Sequence, residues 1–565
     1  MEYSYKTAGT CAQQIDFDIN GNVVSNIRFY GGCNGNLKAI SKLLEGATVE
    51  EIESKLKGNT CGPRPTSCAD QLARAVREAY DSQKDQFLLA EYPITTSTDK
   101  RNRTMTTPIS RRDFLKTSAA AMAAAPLLKG VVANEAKQAK KWYKGNLHQH
   151  SQWSDGIHFP ERMADFYRQN GYHFICPSDH NFFQNDDFRY QRDWSISQLP
   201  EIKDKEGFQR VFEGATSYWK PIRREGLWTG LTREIVDEHK KIYGDDSVEC
   251  RDFEGTTFVR LKTFRELEAE KNDPGKFLMI PGFEQTTMPG EQGYHVHLNF
   301  INVRGSFPTI DPKDSFGILD QNFRKGKEVY GGQDYIVTAN HPLWPYYDFQ
   351  PSDLIRLPQF TLYELTNNAF TPHDSNRIEK AWLPEQMWDI VNAYRVTHDQ
   401  PLLYGMGSDD FHSMDQWGVG WSVVRAEKLE IPDILAAIRA GDFYAAHGTQ
   451  GLAFEDIRFD GKTLEVKIDV QEEGEYVIDF IGTKKDYNPD CEYAETPYEK
   501  GKSLPRKLEC YSKEIGKVLE SAEGTEASYT LKPDDLYVRA KIYKKGAVKK
   551  DWETENAAWT QPYRG

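Results

Sequence analysis

The chain is short of basic residues and of long apolar runs. Its 565 residues hold 71 Lys and Arg against 85 Asp and Glu, a net charge of -14. A protein that coats nucleic acid carries an excess of positive charge, so that class is excluded. An enzyme that cleaves a phosphodiester at a metal site is not excluded. No apolar run is long enough to span a membrane, and we expect no such span.

Histidine is also scarce, yet it is concentrated. Only 13 of the 565 residues are His, and most of them stand in seven apolar stretches that each run into His, Asp or Glu. Scattered surface histidines would not concentrate in this way. Imidazole and carboxylate together suit Zn, Mn or Fe, and several in one cleft indicate a catalytic metal site. The stretches are residues 146–155, 174–180, 277–284, 295–300, 335–341, 362–364 and 402–412.

The order of these stretches predicts a barrel. Between Lys141 and about His447, apolar strands alternate with helical patterns, and strand after strand ends in a reactive group. Parallel strands of this kind close into a barrel whose site lies at their carboxyl ends. Seven strands can be counted, and the one with His295 differs because its His stands at the start. Residues 188–276 interrupt the alternation as a polar insertion, which we expect to be mostly helical.

A smaller unit precedes the barrel region, over residues 1–85. The dipeptide Gly21-Asn22 follows Asn20 between two alternating segments, which indicates a hairpin. Helical spacing of apolar residues follows further along the chain. The predicted helices are residues 37–44, 49–56 and 72–80.

The C-terminal part, from about Gly451, has apolar side chains at period two. Residues 464–470 and 536–542 alternate in this way, which predicts an antiparallel β-sandwich over residues 451–565. Cys491 and Cys510 lie in this domain. They are expected to form a disulfide in an exported protein, or to stay as free thiols in a reducing cytoplasm.

We interpret residues 86–140 as a linker that contains an export-signal segment at residues 110–133. Arg111 and Arg112 are followed by Ala- and Leu-rich residues. This order is typical of a twin-arginine export signal, and a buried Ala-rich helix is the alternative. Export signals act at N-termini, so we expect Met105 to start a second coding unit; a genuine fusion is the alternative. A product of Met105 should be periplasmic or otherwise exported, and a chain that keeps the first domain should be cytoplasmic.

The metal-binding stretches resemble the PHP (polymerase and histidinol phosphatase) family. The resemblance is carried by His-x-His-x4-Asp from His148, then Asp-His, Gly-Phe-Glu, His-Val-His, Asn-His-Pro and Asp-x-His. It implies a distorted (β/α)7 barrel that binds up to three metal ions. His297 is a rival for the place given to His295. The nine ligand positions of the family fall on His148, His150, Asp155, His180, Glu284, His295, His341, Asp410 and His412.

Further motifs resemble one branch of that family, the carbaryl hydrolase-like metallohydrolases. They are residues 408–412, Gly420–Ala426 and 441–444. Members of the branch often end in a β-sandwich that closes on Ala-Trp-x-x-Pro, as residues 558–562 do here. The resemblance covers about residues 141–565.

The resemblance implies a metal-dependent hydrolase with two or three divalent ions, Zn, Mn or Fe. We expect a water that bridges two ions to lose a proton near neutral pH and to attack phosphorus or a carbonyl carbon. Glu284 is the candidate to bridge two ions, because a carboxylate has two oxygens to share. Asp179 is a candidate to accept a proton or to orient His180, and Glu364 is a candidate to contact substrate. Their alternative roles are structural support and helix capping.

Phosphoesters or phosphodiesters, small or oligomeric, are the expected substrates. Carbamate or carboxylic esters are the alternative. A second alternative is a cell-envelope binding protein whose barrel has lost catalysis. Missing ligands would support that alternative, and every ligand position holds a competent side chain.

Residues 1–85 resemble a different family, the TSCPD domain, a small α+β unit. It occurs alone and at the C-terminus of some vitamin-B12-dependent ribonucleotide reductases, so a separate role in nucleotide metabolism is a further reading. Ala69 stands where the family motif has Pro. The spacing of the cysteines is not Cys-x2-Cys, so reduced structural thiols are the alternative to a separate zinc site. The candidate zinc ligands are Cys11, Cys33, Cys61 and Cys68.

Overall fold

The computed structural model divides the chain into two compact units, Met1–Val131 and Val132–Gly565. The export-signal segment at residues 110–133 and Cys33 lie outside the described residues. The described residues are 2–7, 10–20, 23–31, 34–44, 46–61, 64, 66–90, 139–184, 219–222, 230–287, 295–343, 348–368, 382–448, 452–495, 507–546, 549–550, 553–554 and 556–565.

The first unit is a three-stranded antiparallel sheet with three helices. Its strands, in sheet order, are β1 (Glu2–Lys6), β2 (Ala12–Asn20) and β3 (Val23–Gly31), and its helices are α1 (Asn34–Leu43), α2 (Val49–Leu56) and α3 (Cys68–Ala90). Alternation along β2 buries Ile15, Phe17 and Ile19, which pack with Leu72 and Val76 of α3. The predicted hairpin and the three predicted helices are confirmed, and β1 is an additional strand.

The second unit is mixed α/β with several sheets. Its helices are α4 (Pro160–Gln169), α5 (Arg233–Tyr243), α6 (Phe264–Lys271), α7 (Ser315–Tyr330), α8 (Pro351–Arg356), α9 (Pro384–Thr397) and α10 (Ile431–Arg439). Its strands are β4 (Lys141–Gln149), β5 (Phe174–Pro177), β6 (Trp219–Pro221), β7 (Cys250–Phe253), β8 (Thr256–Arg260), β9 (Leu278–Met279), β10 (Gly282–Thr286), β11 (His297–Ile301), β12 (Ile336–Ala339), β13 (Leu362–Thr366), β14 (Tyr404–Gly407), β15 (Gly420–Ala426), β16 (Phe443–His447), β17 (Leu452–Phe459), β18 (Thr463–Val470), β19 (Tyr476–Lys484), β20 (Glu492–Glu495), β21 (Lys507–Cys510), β22 (Lys517–Glu523), β23 (Glu526–Thr530), β24 (Asp535–Lys544), β25 (Lys549–Lys550), β26 (Glu553–Thr554) and β27 (Ala557–Thr560).

Seven strands of this unit are connected in a cyclic order, here called the seven-strand ring. β4 pairs with β5 in parallel, and a parallel bridge between His180 and Glu284 leads from the end of β5 to β10. The order continues through β11, β12, β13 and β14. A parallel bridge between Gln149 and Phe411 returns to β4. The pairs on either side of β11 are antiparallel, so β11 runs against its neighbours.

Six strands of the ring each contribute a side chain to one buried apolar cluster, and Ile280, just before β10, contributes the seventh. The cluster continues into Ile434, Leu435 and Ile438 of α10. The ring therefore has an apolar core that is separate from the polar groups at the strand ends. The seven side chains are Leu147, Cys176, Ile280, Ile301, Ile336, Leu362 and Met406.

Two packed antiparallel sheets form the C-terminal part. One holds β17, β18 and β23, and the other holds β22, β19, β24 and β27. Leu464, Val466 and Ile468 of β18 share a buried cluster with Ile478 and Ile542 of the facing sheet, as their alternation predicts. The second sheet continues through β16 and β15 to β4, so it forms one nine-stranded sheet with part of the seven-strand ring.

The insertion at residues 188–276 is not mostly helical where the structure describes it. Besides α5 and α6 it contains a three-stranded antiparallel sheet, in the order β6-β8-β7. Glu254 and Gly255 join β7 to β8 with positive φ angles of 46° and 78°. Two successive positive φ angles are typical of a tight hairpin turn. The strands are three to five residues long, too short for a clear period-two pattern.

The cysteines that the structure describes are free thiols. Cys491 and Cys510 are unbridged, although Glu492 lies opposite Cys510 in the β20–β21 pair. In the first unit, the guanidinium of Arg64 donates to the sulfur of Cys11 at 2.8 Å. The zinc site on the four N-terminal cysteines stays a prediction. No helix within the described ranges is long and apolar enough to cross a membrane.

A buried ion cluster joins α9 to β24. Arg539 is 1% exposed, and its guanidinium donates to Asp389 at 2.6 and 2.9 Å and to Glu385 at 3.0 Å. Lys541 donates to Glu385 at 2.7 Å. These bonds connect a helix of the ring region to the second sheet.

The substitution Arg539→Ala should lower the free energy of unfolding of the second unit by about 3–5 kcal/mol, because it removes the cationic partner of the buried Asp389 carboxylate. The matched control is Lys467→Ala. The side chain of Lys467 is 42% exposed, and its ion pair with Glu455 should contribute about 1 kcal/mol or less to stability. Urea unfolding followed by tryptophan fluorescence measures both. Equal losses in the two variants would contradict a stabilising function of the buried cluster.

Candidate metal centre

The polar ends of the seven-strand ring converge on one cluster of nine side chains. They form four overlapping groups, and within each group the ligand atoms lie within 4.8 Å of one another. Because the groups share members, the nine side chains make one continuous cluster. The groups are His150, Asp155, His180 and His412; His148, His341 and Asp410; His148, His150 and Glu284; and His180, Glu284 and His297.

Glu284 stands at the centre of this cluster. Its Oε1 lies 3.2 Å from Nε2 of His148, 3.2 Å from Nδ1 of His297 and 3.2 Å from Nε2 of His341. Its Oε2 lies 2.6 Å from Nδ1 of His180. The two oxygens therefore face different imidazoles, which is the arrangement expected of a carboxylate shared between two ions.

The spacing of the other carboxylates also fits metal ligation. Oδ1 of Asp410 lies 3.0 Å from Nε2 of His150. Oδ2 of Asp155 lies 3.5 Å from Nε2 of His180 and 3.4 Å from Nε2 of His412. Ligand atoms that are each about 2.0–2.2 Å from one ion lie about 3.0–3.6 Å from each other. The donor set of imidazoles and carboxylates suits Zn, Mn or Fe.

The cluster contains His297 and not His295. β11 begins at His297 and runs against its neighbours, so its first residue lies where the other strands end. The period-two rule that would send both histidines to one face does not extend to His295, which precedes the strand. The backbone N–H of His295 donates to Oδ1 of Asp348 at 3.0 Å. Of the nine sequence-predicted ligands, the structure brings the other eight together.

Exposure differs between the groups. The side chains of His148 and His297 are 1% and 2% exposed, and Glu284 is fully buried. The side chains of His180 and His412 are 14% and 25% exposed. The group that contains Asp155 is therefore the one nearest to solvent.

Glu364 orients His148. Its Oε1 accepts a hydrogen bond from Nδ1 of His148 at 2.7 Å, which leaves Nε2 to face the cluster. Its Oε2 accepts from the backbone N–H of His341 and from Asn367, each at 2.8 Å. A carboxylate behind a metal-binding imidazole fixes its tautomer and raises its basicity. The structure gives Glu364 contacts with ligands, where the sequence suggested contact with substrate.

Asp179 supports the loop that leads to Asp155. Its carboxylate accepts from the backbone N–H and hydroxyl of Ser151 at 2.8 and 2.9 Å. It also accepts from the backbone N–H and hydroxyl of Ser154 at 3.0 and 2.7 Å. His180, which Asp179 was expected to orient, is bonded instead to Thr286 and Glu284. The geometry thus favours structural support over proton transfer for Asp179.

Two of the clustered residues have left-handed backbone conformations. φ is 23° at His341 and 50° at Asp410. Such angles are uncommon outside glycine and cost on the order of 1–3 kcal/mol each. The Glu364 bond to the N–H of His341 opposes that cost. Strain of this kind leaves no sequence signal, because neither position is glycine.

The charges of the cluster are set by its own members. Burial raises the pKa of a carboxyl group, yet the neighbouring imidazoles hold the pKa values of Asp155, Glu284 and Asp410 well below their usual range. Burial lowers the pKa of His148, but the carboxylates around it, Asp410 foremost, raise that pKa well above its usual value. Burial and the nearby imidazoles lower the pKa of His150 to about 4. The carboxylates therefore stabilise positive charge at His148, while the neutral form is favoured at His150.

Two segments of the sequence match family models. Residues 2–80 match the TSCPD domain. Residues 108–125 match the signal sequence of the twin-arginine translocation (TAT) pathway. A comparison with curated proteins gave no match.

Two solved structures are similar at low identity. One is a two-domain protein from Bacteroides vulgatus that contains a predicted PHP-like metal-dependent phosphoesterase; it is 12% identical, with a TM-score of 0.32, over 75% of this chain and 95% of that chain. The other is a candidate metal-dependent phosphoesterase from Bifidobacterium adolescentis; it is 12% identical, with a TM-score of 0.21, over 48% of this chain and 87% of that chain. Both TM-scores are below 0.5, so the function has to be inferred from this chain's own residues.

The substitution Glu364→Gln should weaken metal binding at the groups that contain His148 by about 10- to 100-fold, because it removes the charge behind the imidazole. The matched control is Glu473→Gln, at an exposed position of the C-terminal part, which should leave binding unchanged. Competition between the protein and a chelator for Mn²⁺ measures the affinity. Wild-type affinity in Glu364→Gln would show that Glu364 does not orient a metal ligand.

Proposed function

We propose that the second unit is a metal-dependent hydrolase that cleaves phosphoesters or phosphodiesters. The observation that carries the proposal is the convergence of nine imidazole and carboxylate side chains around Glu284. A structural zinc ion needs four protein ligands, so nine are more than one structural ion requires. The exposure of His412 leaves one side of the cluster open to a substrate.

The fold is consistent with this proposal. We interpret the seven-strand ring as a distorted (β/α)7 barrel of the PHP kind, and the two packed sheets as its C-terminal β-sandwich. The ring's order is cyclic and its seven strand segments share one apolar core. Reactive groups at the carboxyl ends of barrel strands are the usual position of a catalytic site.

Two or three divalent cations, Zn, Mn or Fe, would be held by the overlapping groups. When bound, they would supply Lewis-acid chemistry, which activates water for attack and stabilises the negative charge that develops. The protein's own contribution is to position the metal ligands. Glu284 belongs to two of the groups, Glu364 fixes the tautomer of His148, and Asp179 fixes the loop before Asp155.

A phosphoester fits this cluster better than a neutral ester. Several cations in one cleft match the charge of a phosphoryl group, and a pair of ions can stabilise both the attacking and the leaving oxygen. A carbamate or carboxylic ester remains the alternative, because the chain's end, Ala558 to Pro562, has the motif of the carbaryl hydrolase-like branch. A non-catalytic envelope protein is disfavoured, since the nine clustered positions all hold competent ligands.

A panel of phosphomonoesters, phosphodiesters, aryl carboxylic esters and carbamates, assayed with Mn²⁺ and with Zn²⁺, should show turnover of a phosphoester. The double variant His148→Ala, His150→Ala should lose that turnover and keep its far-UV circular dichroism, because the ring's core is apolar. Turnover of carboxylic esters or carbamates alone would replace the phosphoesterase proposal with the alternative. Undiminished turnover in the double variant would show that the active site lies elsewhere.

We propose further that residues 108–125 direct export to the periplasm in a product that begins at Met105. Twin-arginine export carries folded proteins, which suits an enzyme that acquires its metals before it leaves the cytoplasm. In fractionated cells, the product of Met105 should be periplasmic, and its variant Arg111→Lys, Arg112→Lys should be cytoplasmic. The full chain should also stay in the cytoplasm, because residues 1–104, with the TSCPD match at residues 2–80, precede the signal. Equal export of the two Met105 products would refute the signal.

A further inference from the structure

The insertion contacts the loop that leads to Asp155. Lys220, on β6, donates from its ammonium group to the carbonyl oxygen of Gln152 at 2.6 Å and to that of Ser154 at 2.7 Å. Ser154 directly precedes Asp155 in the chain. A charged donor shared by two carbonyls makes stronger hydrogen bonds than a neutral donor would. Lys220 therefore fixes the peptide group between Gln152 and Trp153 and the one between Ser154 and Asp155.

Trp153 is the second attachment between the loop and the insertion. Its side chain is 4% exposed and packs with Leu231, Val236 and Val259 of the insertion. Its indole N–H donates to the carbonyl oxygen of Lys262 at 2.8 Å. A buried aromatic ring with its polar atom satisfied is a strong and specific contact. The loop and the insertion thus share one apolar core.

The loop serves only one of the four groups of ligands. Asp155 contributes to the group with His150, His180 and His412. The other groups take their ligands from the ends of the ring strands. The carboxylate of Asp155 lies 3.4 Å from His412 and 3.5 Å from His180. A small shift of the loop would move this carboxylate away from both imidazoles. The same shift would leave His148, Glu284 and Asp410 in place.

We propose that Lys220 and Trp153 are positioning residues through which the insertion sets the metal affinity of the group formed by His150, Asp155, His180 and His412. This inference rests on the proposed function, because it concerns one of its metal groups. Lys220 acts through the carbonyls of Gln152 and Ser154, and Trp153 acts through its packing. The insertion then supports the metal centre, and substitutions in it should alter the metal affinity of the most exposed group before that of the others.

The substitution Lys220→Met keeps an unbranched side chain and removes the charged donor. In the full-length protein loaded with Mn²⁺, it should lower the affinity for one ion on the order of 10- to 100-fold, as the loss of a partner behind a metal ligand does. The remaining ions should keep wild-type affinity. Chelator competition with elemental analysis of metal per chain measures this without any substrate. Lys220→Arg should recover part of the affinity, and Trp153→Phe, which keeps a ring and loses the N–H, should cause a smaller loss.

The matched control is Lys276→Met, since Lys276 is 75% exposed and pairs with Asp273 at the surface. It should leave every ion at wild-type affinity. If Lys220→Met does not fold, as judged by thermal unfolding, Lys220→Arg and Trp153→Phe decide. Retention of every ion at wild-type affinity in the folded variants would overturn the inference and leave the proposed function standing. A wild-type protein that binds no metal would overturn both.

Discussion

The second unit depends on the burial of carboxylates at one place. Glu284, Glu364, Asp179 and Asp410 come from different segments, and all are at most 7% exposed. Buried carboxylates are costly unless they are paired and hydrogen-bonded. Imidazoles surround Glu284 and Asp410, and hydrogen-bond donors of the backbone and side chains surround Glu364 and Asp179. Under the proposed function, the first pair would hold cations, and the second pair would keep the ligands and their loop in position.

The difference between these two pairs of carboxylates explains how different parts of the chain support one centre. The apolar core of the ring fixes the strand ends, and α10 continues that core. Glu364 turns His148 toward Glu284 and also bonds the strained backbone at His341. Asp179 and Lys220 hold the loop before Asp155 from two directions. An enzyme that needs several ions at short spacing gains from such support, because small displacements of a ligand weaken binding and catalysis.

Much of this arrangement could be predicted from sequence, since most of the ring strands are short apolar runs that lead into a ligand. That local pattern located eight of the clustered residues. The hairpin and helices of the first unit followed from a turn dipeptide and from helical spacing, which are local signals too. It did not decide correctly between His295 and His297, because strand direction is a property of pairing and not of one segment. It also did not give the functions of Glu364 and Asp179, which depend on contacts across many residues. The continuity of the nine-stranded sheet was missed for the same reason, and the small sheet of the insertion because its strands are very short.

Anomalous diffraction from crystals of the protein grown with Mn²⁺ tests the central claim most directly. We expect at least two anomalous peaks within the cluster, on either side of the Glu284 carboxylate, and a third near Asp155 when the most exposed group is filled. Imidazole and carboxylate atoms of the nine clustered residues should surround each peak. Crystals with no anomalous peak in the cluster, or with peaks only at other places on the protein, would contradict the assignment of a metal centre.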